Sequence, residues 1–405
     1  MLARVLATAS IAAATTLISA GGVESQVVAG SVEDVSEVLE PIRAQEQVPS
    51  LAAAVVKGGR LIAQGAVGVR RLGGNERVTT DDQYHLGSNT KAMTATLLGI
   101  LVDEGRLSWS STVGDVLGKA IAAMDPAWRA VTLEHLLRHR SGAPPEPDTE
   151  KMAQLRTRFQ DAALTTAQRR LLVVETTITR PPIFAPGTRF SYANLGYVIA
   201  AAMAESITGR AYDELMREKV FGPLGIVSAG FGAPGTAERV DQPWGHLANG
   251  TPVAPGGAAA DNPPFYDPSG RAHMTLRDWS KFASAHLFGD SRNPVRQSLL
   301  LKPATYDMLH RPIDEYAMGW YLHPQPYPGM TFEDKSGVPY GGVVLTHDGS
   351  NNRWRADVWL FPELNLAIVV ATNQALAQVD HGGGMHDGPA HATGRAGSIL
   401  FATFK

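Results

Sequence analysis

The chain has 405 residues, 44% of them hydrophobic and 19% charged, with a formal net charge of −3 and no cysteine. This is an ordinary globular composition, long enough for one large domain or two. It offers no basic excess for nucleic acid and no charged tail, and it excludes thiolate catalysis, disulfides and cysteine-ligated zinc.

The first residues, MLAR, make a short basic start, and VLATASIAAATTLISA follows as an apolar, Ala-rich run ending in small residues. That grammar predicts a signal peptide over residues 1–21, cut near Ala20 or Gly21, and hence export to the periplasm or beyond. The run is too short and too weakly apolar for a good membrane span, and no cysteine is present to carry a lipid anchor. Residues 22–405 are expected to form a single domain. Apolar residues at 32, 35, 38, 39 and 42 have helical spacing, with Pro41 expected to bend or end that helix. Leu51 to Val56 and Leu61 to Val69 read as two strands of a hairpin around Gly58 and Gly59. From Thr90 to about Leu287 the periodic segments are mostly helical, split by Pro/Gly loops. The loop from Gly232 to Pro264 exceeds usual loop lengths and reads as a functional wall or an insertion. Near the end, GGVVLTHDG, RADVWLFPE and LAIVVATNQ predict three antiparallel strands, and a short helix is expected from Ala396 to Phe404.

Strands at both ends with helices between predict an α+β fold, an α/β sandwich. Its antiparallel sheet would come from both chain ends, about 30–85 and 315–405, covered by the N- and C-terminal helices. A large helical region, about 86–314, would be inserted.

Three short segments carry chemistry. In HLGSNTKAMTATLLGILVDEGRL, Ser88 opens an apolar helix and Lys91 follows three residues later. Serine is a good N-cap, but a capping box wants Glu or Gln at that later position, and lysine has the wrong charge for a helix N-terminus. Residues i and i+3 share a helix face, so the amine can lie beside the hydroxyl. A lysine among apolar groups loses basicity and becomes a base, and a serine beside it becomes a nucleophile. In FAPGTRFSYANLGY, Tyr192 and Asn194 stand at the start of another apolar helix. A tyrosine hydroxyl near a lysine can relay a proton, and an asparagine amide can both donate to and accept from a substrate amide. In LTHDGSNNRWRADVWLF, His347, Asp348 and Gly349 end one strand and lead into a hairpin. A histidine facing a cleft can donate to a relay tyrosine or to a substrate carboxylate, and Gly349 lets a substrate lie along the strand edge.

Taken in order, Ser-x-x-Lys, Tyr-x-Asn and a basic residue-x-Gly resemble the serine β-lactamase and penicillin-binding-protein superfamily. That group includes class C β-lactamases, D-alanyl-D-alanine carboxypeptidases, D-aminopeptidases and β-lactamase-like esterases. The phrases VTLEHLLRHRSGAPP, FAPGTRFSYANLGY, YAMGWYL and IVVATNQ extend the resemblance over roughly residues 30–405. It implies a β-lactamase/transpeptidase-like fold and an exported serine hydrolase working through an acyl-enzyme. Ser88 would be the nucleophile, with Lys91 and Tyr192 as base and proton relay. Asn194 would hold the amide of the acyl side chain or an equivalent polar group. His347 would replace the lysine common in the third box. Gly349 would leave room for substrate, and the backbone N–H groups of Ser88 and Ser350 would form the oxyanion hole. Asp348 departs from the pattern, which has a hydroxyl there to help bind a substrate carboxylate. Two like charges about 4 Å apart repel by roughly 4 kcal/mol at an effective dielectric near 20. On that reading an esterase or D-amino-acid peptidase ranks ahead of an efficient β-lactamase. The alternatives are a D-alanyl-D-alanine carboxypeptidase or class C-type β-lactamase, and a non-catalytic penicillin-binding or sensor module. A small-molecule or peptide substrate is expected, with no cofactor, no metal, no nucleic acid and no membrane span after signal cleavage. The sequence gives no sign of oligomeric state. HGGG at 381–384 resembles an esterase oxyanion motif, but the G-x-S-x-G elbow that accompanies it is missing. With Asp380, His386, Asp387 and His391 it reads as a solvated Gly-rich loop.

Overall fold

The structure, a computed structural model, describes residues 31–159, 161–325, 331–375 and 391–405. The proposed signal segment lies outside these residues, as do HGGG and its neighbours up to 390. The strands, in chain order, are β1 (Glu33–Asp34), β2 (Ser50–Lys57), β3 (Arg60–Gly68), β4 (Gln83–His85), β5 (Gly230–Phe231), β6 (Gly245–His246), β7 (Pro252–Val253), β8 (Ala272–Thr275), β9 (Tyr321–Pro324), β10 (Val343–Ser350), β11 (Arg355–Phe361) and β12 (Leu366–Thr372). Seven of them form one sheet in the order β1-β3-β2-β12-β11-β10-β9, so the first and last parts of the chain meet where β2 pairs with β12.

This sheet separates two apolar cores, and the period-two geometry of a strand accounts for both. In β2, Leu51, Ala53 and Val55 point to one core, and Ala52, Ala54 and Val56 point to the other. A strand covered on both faces needs no polar side, hence its unbroken apolar run. Helix α1 (Ser36–Gln45) and the C-terminal helix Ala392–Phe404 cover one face through Leu39, Ile42, Leu400 and Phe401. The helical region covers the other. At its centre is α2 (Thr90–Asp103), apolar nearly all round and buried accordingly.

The structure departs from the sequence expectations in three places. β1 runs parallel to β3, so the sheet is not wholly antiparallel. It is only two residues long, laid beside β3 as the chain enters α1. β4, expected in the large sheet, instead pairs with β8 in a three-stranded sheet with β5, inside the region expected to be helical. Pro41 does not end α1, which continues to Gln45 because Leu39 and Ile42 pack its later turns onto the sheet. Among the described residues no helix is long and apolar enough to cross a membrane.

One feature of the sheet positions the site. β9 pairs with β10 only from Val343 to Thr346. Beyond that point His347 to Ser350 continue without β9, and the turn that starts α2 packs against this stretch and reaches across to β11.

Candidate active site

After His85 the chain turns through Gly87, whose φ of +51° is left-handed, makes a single 3₁₀ turn over Gly87–Asn89, and enters α2. A Cβ on Gly87 would stand 2.3 Å from the Ser350 amide nitrogen. A Cβ on Gly349 would stand 2.0 Å from the Leu86 carbonyl oxygen and 2.8 Å from the Ser88 nitrogen. Only glycine lets these two backbones approach so closely. The Asn89 side chain ties the turn down, donating to the carbonyls of Leu86 and of Ala356 on β11, each at 2.9 Å. The backbones of Ser88 and Ser350 are thereby brought together beside the partly exposed Ser88 hydroxyl.

No side chain caps α2, and the Ser88 hydroxyl has other work. Lys91 Nζ lies 3.0 Å from Ser88 Oγ, 2.8 Å from Asn194 Oδ1 and 2.6 Å from the Ser269 carbonyl. A neutral amine can give its two N–H groups to the latter two and turn its lone pair toward the serine O–H. Burial favours that form. It drives the Lys91 pKa down from 10.5 to about 7, against an upward pull from the Asp348 and Glu146 carboxylates. The Tyr192 ring centre is 4.7 Å from Nζ, and the Ser88 hydroxyl is near enough to its phenol to favour the ionised form. Burial pushes this phenol well above 10, so it keeps its proton at neutral pH. The His139 ring packs 4.2 Å from the Tyr192 ring, and its Nδ1 accepts the Ala193 N–H at 3.0 Å. This fixes the entry into the helix Asn194–Thr208 that carries Asn194. Asn194 donates its Nδ2 to Glu146 Oε1 at 3.3 Å, and the Tyr266 hydroxyl donates to the other oxygen of Glu146.

On β10, alternation sends His347 and Asp348 to opposite faces. The buried His347 ring faces the cleft side, with centroids 5.4 Å from Tyr321 and 6.5 Å from Tyr192. Its Nδ1 donates to the Asp348 carbonyl at 2.6 Å. Asp348 shares the other face with Arg355 and Asp357, and its Oδ2 lies 3.1 Å from Arg355 Nη1. Arg355 also holds Asp357 at 2.9 Å. The unpaired carboxylate expected at the cleft is therefore absent, and the full repulsion reckoned for it does not apply. What reaches the site is a weaker field, felt at Lys91.

Known proteins share this plan. Residues 35–384 match the family described as Beta-lactamase. The chain belongs to the β-lactamase family. It is 30% identical over 346 residues to penicillin-binding protein 4 of Amycolatopsis lactamdurans, covering 84% of this chain and 85% of that one. A β-lactamase/D-alanine carboxypeptidase from Pseudomonas syringae superposes with a TM-score of 0.66 at 17% identity, over 90% of this chain and 95% of that one. A D-stereospecific amidohydrolase from Streptomyces sp. gives 0.61 at 22% identity, over 84% and 93%. This β-lactamase-family chain is a serine hydrolase of the superfamily.

Ser88, Lys91, Tyr192 and Asn194 converge as the sequence predicts, with His347, Gly349 and Ser350 on the adjoining strand. Sequence reasoning missed His139, Glu146, Tyr266, Ser269 and Tyr321. His139 and Glu146 lie in or beside the phrase VTLEHLLRHRSGAPP, and Tyr321 lies in YAMGWYL, so those phrases already pointed at them. Ser269 acts on Lys91 through its carbonyl, which any residue type would supply. Among the described residues no group of His, Cys, Asp and Glu is arranged to hold a metal ion.

Proposed function

We propose that this serine hydrolase is exported and cleaves an ester or amide through an acyl-Ser88 intermediate, with esters and D-amino-acid amides or peptides ahead of β-lactams. The observation that carries the reading is the fully buried Lys91, its Nζ 3.0 Å from Ser88 Oγ. Neutral Lys91 takes the Ser88 proton as Oγ attacks the substrate carbonyl. The negative charge that forms on the carbonyl oxygen meets the N–H groups of Ser88 and Ser350. Protonated Tyr192 passes a proton to the leaving group as its bond to the carbonyl breaks, and it regains one from Lys91. Water then attacks the acyl carbon, the same pair moves its proton, and Ser88 is freed. Asn194 orients the substrate amide once its contact with the exposed Glu146 is exchanged.

The substrate ranking now rests on the ionic state of the third box. Arg355 is engaged by two carboxylates, and the His347 Nδ1 proton is used on backbone. Asp348 and Arg355 lie on the face away from His347, so this cation is not offered to a substrate carboxylate in the cleft. A D-alanyl-D-alanine carboxypeptidase or class C-type β-lactamase is the second reading, favoured by the 30% identity over most of both chains to a penicillin-binding protein.

A fluorophosphonate should leave one adduct, on the peptide carrying Ser88; an adduct elsewhere with Ser88 untouched overturns the nucleophile. Rates should then be compared on a p-nitrophenyl ester, a D-alanyl peptide amide, the same peptide with a free carboxylate, and nitrocefin. The first two should be faster, and the opposite order selects the second reading. Export is tested by the mature N-terminus in periplasmic and culture fractions, expected near residue 21.

A further inference from the structure

The loop from Gly232 to Pro264 holds a carboxylate that the chemistry above does not use. Asp261 lies near its end, with a side chain only 6% exposed. Three arms reach this one group. His85 Nε2 stands 3.0 Å from Oδ2, while His85 Nδ1 accepts the Gly87 N–H at 3.1 Å. An Nδ1 that accepts leaves the ring proton on Nε2, aimed at Asp261. Asn351, the residue after Ser350, donates its Nδ2 to Oδ1 at 2.9 Å. Arg271 Nε donates to Oδ2 at 3.2 Å, and the same guanidinium binds Asp267. Asp267 opens the short helix Asp267–Gly270, whose Ser269 carbonyl holds Lys91. Burial raises the Asp261 pKa, but its donors win and hold it near 2, so the group is a carboxylate at any working pH.

We propose that Asp261 is a positioning residue, a carboxylate clamp that sets the distance between the Ser88 turn and the Ser350 strand. The proposal rests on Ser88 being the nucleophile. Asp261 touches no reacting atom; it acts through His85 on Gly87, which precedes Ser88, and through Asn351, which follows Ser350. The close contact of Gly87 with Ser350 shows how little slack those backbones have. The third arm, through Arg271, registers the Lys91 carbonyl acceptor to the same point. The long loop is thus read as the element that closes the site from behind, because its last turn carries the group to which all three pieces are tied.

Misplacement by about 1 Å, remote from the chemistry, can cost roughly 100-fold in rate. Loosening the clamp should therefore lower kcat on a small ester by about 10- to 100-fold. KM should stay within about twofold, because the oxyanion donors act on the transition state and not on the bound ester. Asp261→Asn and Asn351→Ala are to be made in the full chain and assayed for kcat, KM, Ser88 labelling by a fluorophosphonate, and thermal midpoint. Asn351→Ala removes one arm and leaves Asp261 paired with His85 and Arg271. The proposal expects kcat and the labelling rate to fall together in both variants. Unchanged kcat in folded Asn351→Ala, or a loss in KM alone, overturns it, whatever Asp261→Asn does. The underlying reading fails differently: wild-type protein would then carry no adduct on Ser88.

Discussion

Lys91 Nζ has a hydroxyl, an amide oxygen and a backbone carbonyl as partners, none of them charged. Burial pulls its pKa down to about 7, with the Asp348 and Glu146 carboxylates keeping it from falling further. Two expectations follow at the scale of this residue. A base must be unprotonated, so kcat/KM on a neutral ester should rise as pH passes through about 7 and level off above it. Glu146→Gln removes one of the two charges that support the ammonium, so the rising limb should move to lower pH. A limb that stays in place, or moves up, would mean another group sets it. The motif Ser-x-x-Lys was legible because a lysine at that point contradicts both the helix dipole and the apolar pattern around it. Tyr266, Asp261 and His85 were not, since each owes its place to chain brought from far away: Tyr266 meets Glu146, and Asp261 meets His85 and Asn351. Asp348 was read with the wrong surroundings for a local reason: the register of the β10–β11 hairpin, which puts Arg355 beside it, is not written in the strand pattern.

The element that decides the site is the free half of β10, laid against the turn into α2. β2, β10, β11 and β12 were readable in the sequence because each is a run of seven or eight residues with a clear apolar signature. β1 and β4 were not, since two or three residues cannot display a period, and their pairing is dictated by the elements they lead into. The contact between β10 and the turn can be tested at Gly349. Gly349→Ala must push the Leu86 carbonyl or the strand aside, because its Cβ would sit 2.0 Å from that oxygen. The shift opens the space between the Ser88 and Ser350 backbones. Loss of one oxyanion donor costs about 10²- to 10³-fold in kcat, and overpacking costs about 1–3 kcal/mol of stability. The variant should therefore stay folded by circular dichroism while kcat on the p-nitrophenyl ester falls by at least about 100-fold. Full activity in a folded Gly349→Ala protein would show that the two backbones do not meet as described.

For the whole molecule, the buried base is a load on the fold. An amine whose pKa falls from 10.5 unfolded to about 7 folded destabilises the native state by about 5 kcal/mol at neutral pH. The unfolded chain holds the proton more tightly, so stability from this group is fully present above pH 10.5 and is lost as the pH falls toward about 7. Below that it is constant, since Lys91 is then protonated in both states. Lys91→Met fills similar space without charge, and removes that load. It also strands the Asn194 and Ser269 oxygens, each worth about 1–3 kcal/mol if left dry. Asn194 is only partly buried and can be rehydrated, so the net change at pH 7 should be a gain of about 1–3 kcal/mol. Turnover should be lost with it, the trade expected where a functional group is held in an unfavourable setting. The sharper test is the pH dependence. Urea unfolding of both proteins between pH 7 and 10 should show the advantage of Lys91→Met shrinking steadily, because the proton that wild-type Lys91 gives up on folding becomes less costly to release as the pH rises. A constant gap over that range would mean that Lys91 carries its charge in the folded enzyme, and the neutral base beside Ser88 would have to be abandoned.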